Sequence, residues 1–118
     1  MTGGHRIETS TVPHHVRVDI DGRTVAESRY PVLLRETGLP DRYYLPPGDV
    51  RFDLLEPSAL HTTCPVKGVA SYWTLRAGTG ERPVAWAYPD PVPGAAAIAG
   101  HLAFSPEFAD VTVVAKDA

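Results

Sequence analysis

The chain has one cysteine in 118 residues, which excludes an internal disulfide and any zinc site built from several thiolates. No apolar run approaches the roughly 20 residues that span a bilayer. The opening MTGGHRIETS lacks the apolar segment of a secretory signal. Eleven basic and fourteen acidic residues give a net charge of −3 without a basic stripe, so no nucleic-acid backbone is expected as a partner. There is no internal repeat and no phosphate-cradling glycine loop of the Walker type. Together these absences predict a soluble cytoplasmic protein with neither membrane nor nucleic acid as a partner. They also predict a single domain over residues 1–118 with a flexible start at 1–5.

Proline, by contrast, is abundant. Twelve prolines are dispersed along the chain and leave no room for a long helix, because each removes a backbone donor and clashes with the preceding turn. Short strands joined by turns suit this punctuation. In His15–Ile20, Val16, Val18 and Ile20 alternate with polar neighbours, and Asp21-Gly22 tolerates positive φ. Residues 15–29 therefore read as a β-hairpin. Further strands are expected at Tyr30–Glu36, at Val50–Leu54 before a stop at Glu56-Pro57, at Val69–Ala77 as the longest, at Val84–Tyr88, and at 102–104 and 111–115. In Val69–Ala77 the odd positions Val69, Ser71, Trp73 and Leu75 are read as the core face. A turn is expected at residues 78–81. The Tyr88–Gly94 run reads as an extended connector, and GAAAIAGH, residues 94–101, as the one short helix. The fold class is mainly β, a compact antiparallel barrel or sandwich.

The stretch TTCPVKGVASYW, residues 62–73, carries the most reactive side chains. Cys64 would act as a nucleophile only with a base or positive field beside it, which Lys67 or His61 could supply. Otherwise it packs as a small hydrophobe, the commoner fate of free cysteine. Lys67 is either a solvated turn lysine or the cation of an anion site, with Gly68 admitting close approach of a ligand. Arg42 precedes Tyr43-Tyr44, while Arg29 and Arg35 flank the neighbouring strand, and convergence of two or three such cations would bind phosphate or carboxylate. Tyr43, Tyr44, Tyr72, Trp73, Trp86 and Tyr88 could wall a pocket, although aromatics at period two are more often core. Asp19 and Asp21 have the spacing of a magnesium-holding pair, yet Asp21 is better explained by the turn before Gly22 and Asp19 by the polar hairpin face. No metal is assigned. His14-His15 point to opposite faces if extended.

Glu36-Thr37-Gly38, Pro40, Arg42-Tyr43-Tyr44, Asp49-Val50, Thr62, Cys64-Pro65, Lys67-Gly68, Ala70, Tyr72-Trp73, Ala85-Trp86 and Tyr88-Pro89 resemble a small bacterial and fungal family, domain of unknown function four-two-seven. The likeness runs over nearly the whole chain, and Val66 stands where an aromatic is expected. The resemblance implies a compact β fold with signature residues around Arg42 and around Cys64–Tyr72. The family's catalogue label implies nucleotidyl transfer, although the Gly-Ser and carboxylate pattern of established nucleotidyltransferases is absent.

The expected site is a cofactor-independent polar cleft for a small anionic molecule. Lys67, Tyr72 and Cys64 are its candidate catalytic residues, and Arg42, Tyr43, Arg29 and Tyr88 line its ligand-binding part. Enzyme and binder are not distinguished at this level. Two other readings stand beside it: an interaction module with a flat apolar patch, compatible with a homo-oligomer, and magnesium-dependent nucleotidyl transfer near Asp19 and Asp21.

Overall fold

The computed structural model describes residues 6–76 and 82–115. The expected flexible start at 1–5 and the turn at 78–81 lie outside the described residues. The hairpin is formed by β2 (His15–Ile20) and β3 (Arg23–Ser28), paired antiparallel around Asp21-Gly22. Both loop residues have positive φ, +52° at Asp21 and +78° at Gly22. A two-residue loop needs this geometry to follow the twist of its strands. Val16, Val18 and Ile20 form the buried face. On the other face, the Asp19 carboxylate accepts hydrogen bonds from Thr24 Oγ1 (2.6 Å) and Arg17 Nε (3.1 Å).

The described residues form three antiparallel sheets, and a sandwich describes them. One has β10 (Asp110–Val114) beside the hairpin, in the order β10-β2-β3. Another contains β1 (Ile7–Thr11), β4 (Val32–Glu36) and β5 (Arg42–Tyr44), in the order β1-β4-β5. The last is a meander of β6 (Leu55–Cys64), β7 (Gly68–Leu75), β8 (Pro83–Ala87) and β9 (Leu102–Phe104). Leu45 and Leu102 exchange both backbone hydrogen bonds, at 2.8 and 2.9 Å, and so join β5 to β9. Strand β9 is buried on both faces. Successive residues of β9 feed different cores: Leu102 and Phe104 pack with the hairpin valines, whereas Ala103 packs with Leu34, Tyr44 and Ile98. This is why β8 and β9 read as continuous apolar runs rather than alternating ones.

Several expectations change. Val50–Leu54 is not a strand: Val50 makes a single bridge to Ala26, and Phe52–Leu54 forms a 3₁₀ turn. Five alternating residues cannot distinguish the two conformations, and the turn brings both Val50 and Leu54 to the same core while leaving Phe52 partly exposed against the Trp73 ring. The longest strand is β6, with ten residues, not β7 with eight. Pro57 does not stop β6 because it lies on a sheet edge, and the register slips between Pro57 and His61. The odd positions of β7 are its core face only in part. Val69 is 52% exposed while Ala70 is fully buried, since Ala70 and Tyr72 meet one core, and Trp73 and Leu75 the other. The short helix is of 3₁₀ type and spans Pro93–Ile98, broken at Ala95. Pro93, Gly94 and Gly100 leave too few residues to nucleate an α-helix, but Ala95 and Ile98 still anchor the segment in the core.

The β6–β7 turn is clamped to the proline-rich connector. Lys67 N donates to Cys64 O (3.1 Å), and Val92 N donates to Lys67 O (2.9 Å). Gly68 has φ +121°, and a Cβ there would sit 3.3 Å from Pro91 Cα. The close approach that Gly68 permits is therefore to the chain's own connector and not to a ligand. Gly68→Ala combines a disfavoured φ with backbone crowding, so a loss of about 1–3 kcal/mol is expected in urea unfolding.

Candidate functional site

Period-two alternation places Val32, Leu34 and Glu36 on one face of β4, and that face is buried. A carboxylate thus arrives in the interior at the end of an apolar strand. The β6–β7 turn delivers the matching cation. Lys67 is 9% exposed, like Glu36, and its Nζ donates to Glu36 Oε1 at 2.6 Å. The ammonium also lies 5.8 Å from the centroid of the Tyr88 ring. A solvated turn lysine is therefore ruled out. Burial of both ions costs several kcal/mol each, and only close, well-bonded geometry offsets that cost.

Beside this pair the sheet register builds an aromatic wall. Tyr72 on β7 is the cross-strand partner of Trp86 on β8, and Trp86 is the partner of Ala103 on β9. Trp86 Nε1 donates to the Tyr44 hydroxyl oxygen at 3.1 Å. Arg42, two residues before Tyr44 and on the same face of β5, lies with its guanidinium 5.8 Å from the Trp86 ring centroid. Tyr72 Oη and Thr62 Oγ1 are hydrogen-bonded at 2.7 Å, which fixes the phenol. The resulting cleft has a volume of about 430 Å³. It is lined by Glu36, Arg42, Tyr44, Lys67, Tyr72, Trp86 and Tyr88, with Leu39, Pro40, Pro83, Ser105, Glu107 and Phe108 around them.

Of the residues expected at a site, the structure brings Arg42, Lys67, Tyr72 and Tyr88 together. Cys64 is half-buried against the second core and is not part of the cleft lining. Tyr43 points opposite to Tyr44, packing on the hairpin core with its ring 6.3 Å from that of His14. Arg29 is exposed in a separate surface depression with Thr11, Val12, Pro13, His15 and Tyr30. Tyr43 and Arg29 therefore leave the set of lining residues: the first by the period of its strand, the second because the turn after β3 carries it away. Glu36 joins it, as do Tyr44 and Trp86 from the aromatics that could wall a pocket. Glu36 is legible in principle, as the third residue of the alternating face Val32, Leu34, Glu36. Among the described residues, no group of three or more His, Cys, Asp and Glu side chains could hold a metal ion.

Burial pushes the Tyr44 hydroxyl up to about 12, well above the ordinary phenol value of 10.0. Burial likewise raises Tyr88, with the nearby Tyr44 adding to the effect. Both phenols are thus held neutral where a free tyrosine ionises. Because the folded-state values are raised, stability is complete below pH 10 and falls as the pH climbs from 10 towards 12. Urea unfolding compared at about pH 9 and about pH 11 is expected to show this loss, diminished in Tyr44→Phe. Lys67→Met leaves the Glu36 carboxylate buried without this partner and is expected to cost about 3–5 kcal/mol. Lys67→Met combined with Glu36→Leu is expected to cost less than the sum of the two single changes, in a double-mutant cycle of urea unfolding.

A family model labelled as a nucleotidyltransferase and described as "Domain of unknown function (DUF427)" matches residues 8–115. No curated protein matches the chain.

Proposed function

The chain belongs to the DUF427 family, and on that premise we propose that its cleft is a small-molecule site for an anionic metabolite. The observation that carries this reading is the convergence of Arg42, Lys67, Tyr72 and Tyr88 from separate elements onto one concavity. A concave, largely aromatic surface with a few convergent polar groups is the usual form of a small-ligand site. Arg42 is the anion-binding residue: among the described residues it has no carboxylate partner within ion-pair distance. Its guanidinium presents a rigid fork of donors. Tyr72, oriented by Thr62, is the proton donor. The Lys67–Glu36 pair sets the field of the cleft floor. Any turnover here would proceed by proton transfer and charge stabilisation, without a cofactor.

Two other readings are weaker. The edge strand β10 exposes Val111, Val113 and Val114, which favours a protein contact along that edge. Nucleotidyl transfer rests on the family label alone, and the residues do not fit its metal. Asp19 is engaged by Arg17 and Thr24, and Asp21 occupies the hairpin loop at φ +52°.

The test is a thermal-shift screen of small carboxylates, phosphate esters and magnesium nucleotides against the wild type and Arg42→Gln. A ligand is expected to stabilise the wild type and to lose tenfold or more in affinity with Arg42→Gln, roughly 1.4 kcal/mol or above. Tyr72→Phe is expected to retain binding and to lose any turnover. Equal responses of wild type and Arg42→Gln to every ligand would reject the site.

A further inference from the structure

The charge balance and walls of the cleft narrow its ligand further. This step rests on the reading of the cleft as an anion site. The lining contains two cations, Arg42 and Lys67, and two carboxylates, Glu36 and Glu107. Lys67 is held at 2.6 Å from Glu36 with both groups out of water, so its charge is already compensated. Glu107 is exposed and adds a negative charge at the rim. Arg42 is then the one cation of the lining without a carboxylate partner among the described residues.

Such a site matches a single negative charge. A second or third charge on the ligand would meet Glu107 and a compensated floor, with no third cation in the lining among the described residues; the Arg82 guanidinium lies outside the lining, against the Phe108 ring at 5.5 Å from its centroid. The remaining lining decides the body of the ligand. Tyr72, Trp86, Tyr88 and Phe108 present ring surfaces, and aromatic partners gain from offset or edge contacts beyond simple burial. A ring bearing one carboxylate is well within a cleft of about 430 Å³.

We infer that the cleft is selective for aromatic monocarboxylates over phosphate esters and nucleotides, with the carboxylate on Arg42 and the ring against the aromatic wall. Glu36 acts as the specificity-determining residue, because it withholds Lys67 from the ligand. The inference runs against the nucleotide substrate that the family label suggests.

The experiment is a titration of the full chain, followed by amide NMR at about pH 7.5. Its probes are indole-3-carboxylate, cyclohexanecarboxylate, phenyl phosphate and magnesium ATP. Indole-3-carboxylate is expected to bind about tenfold tighter than both cyclohexanecarboxylate and phenyl phosphate. Magnesium ATP is expected to bind more weakly still. Glu36→Gln releases Lys67 as a second cation, so phenyl phosphate is expected to gain about tenfold over wild type. The charge-balanced pair Glu36→Gln with Lys67→Met removes both ions and is expected to keep the wild-type order of ligands. That variant gives an independent answer if Glu36→Gln alone does not fold. Phenyl phosphate binding as tightly as indole-3-carboxylate to the wild type, yet lost in Arg42→Gln, would overturn the inference and leave the anion site standing. Cyclohexanecarboxylate equal to indole-3-carboxylate would remove the aromatic preference alone. Binding of every probe unaffected by Arg42→Gln, or no binding at all, would overturn the anion site itself.

Discussion

A lysine ammonium and a glutamate carboxylate, 2.6 Å apart and both nearly out of water, tie the candidate site to the rest of the molecule. Each ion alone would be strongly disfavoured there, so the position of one dictates the position of the other. Glu36 ends β4, and Lys67 belongs to the turn between β6 and β7. The contact therefore links two sheets that the chain visits about thirty residues apart. The backbone reinforces it. Lys67 O accepts from Val92 N, and Gly68 allows Pro91 to pack against the turn. Without the clamp the lysine would be free to turn to solvent, the ordinary conformation of a turn lysine.

The aromatic wall depends on a second constraint, the joining of sheets at Leu45 and Leu102. That bridge sets β5 alongside β9, so Tyr44 and Arg42 continue the row that Tyr72, Trp86 and Ala103 begin. Ala103, the smallest member of the row, separates the Trp86 strand from β5 and leaves room for the indole to reach the Tyr44 hydroxyl. Arg42 covers part of the same indole. Strand register thus sets the aromatic wall and Arg42, which favours a preorganised site there, while turns supply Lys67 and the rim. Its two buried phenols are kept neutral by the same desolvation that makes the Lys67–Glu36 contact so dependent on geometry.

Local chemistry in the sequence foretells local structure well here. Alternation of Val16, Val18 and Ile20 around Asp21-Gly22 specifies the hairpin, and the prolines exclude long helices. Where the same signals mislead, the cause is tertiary. The Val50–Leu54 alternation belongs to a turn that inserts both of its apolar ends into one core. The faces of β7 cannot be read from polarity because cores lie on both sides of it. Pro57 is tolerated in β6 because β6 is an edge strand. In the site, Lys67, Arg42, Tyr72 and Tyr88 are recognisable by residue type and spacing. Tyr43 and Arg29 are equally plausible by those criteria and lie elsewhere.

The sequence by itself determined a mainly-β chain with a hairpin at 15–29, a turn at 65–68, and the residue types from which a polar cleft could be made. Each of these follows from interactions within a few residues: period-two burial, positive φ at Asp-Gly, and the missing donor of proline. Only the tertiary structure decided that Lys67 is turned inward onto Glu36, that Tyr44 rather than Tyr43 faces the cleft, and that Gly68 serves the connector rather than a ligand. Those outcomes depend on which strands are neighbours and in what register. A one-residue shift reverses every side chain on a strand, and no stretch of local sequence carries that information.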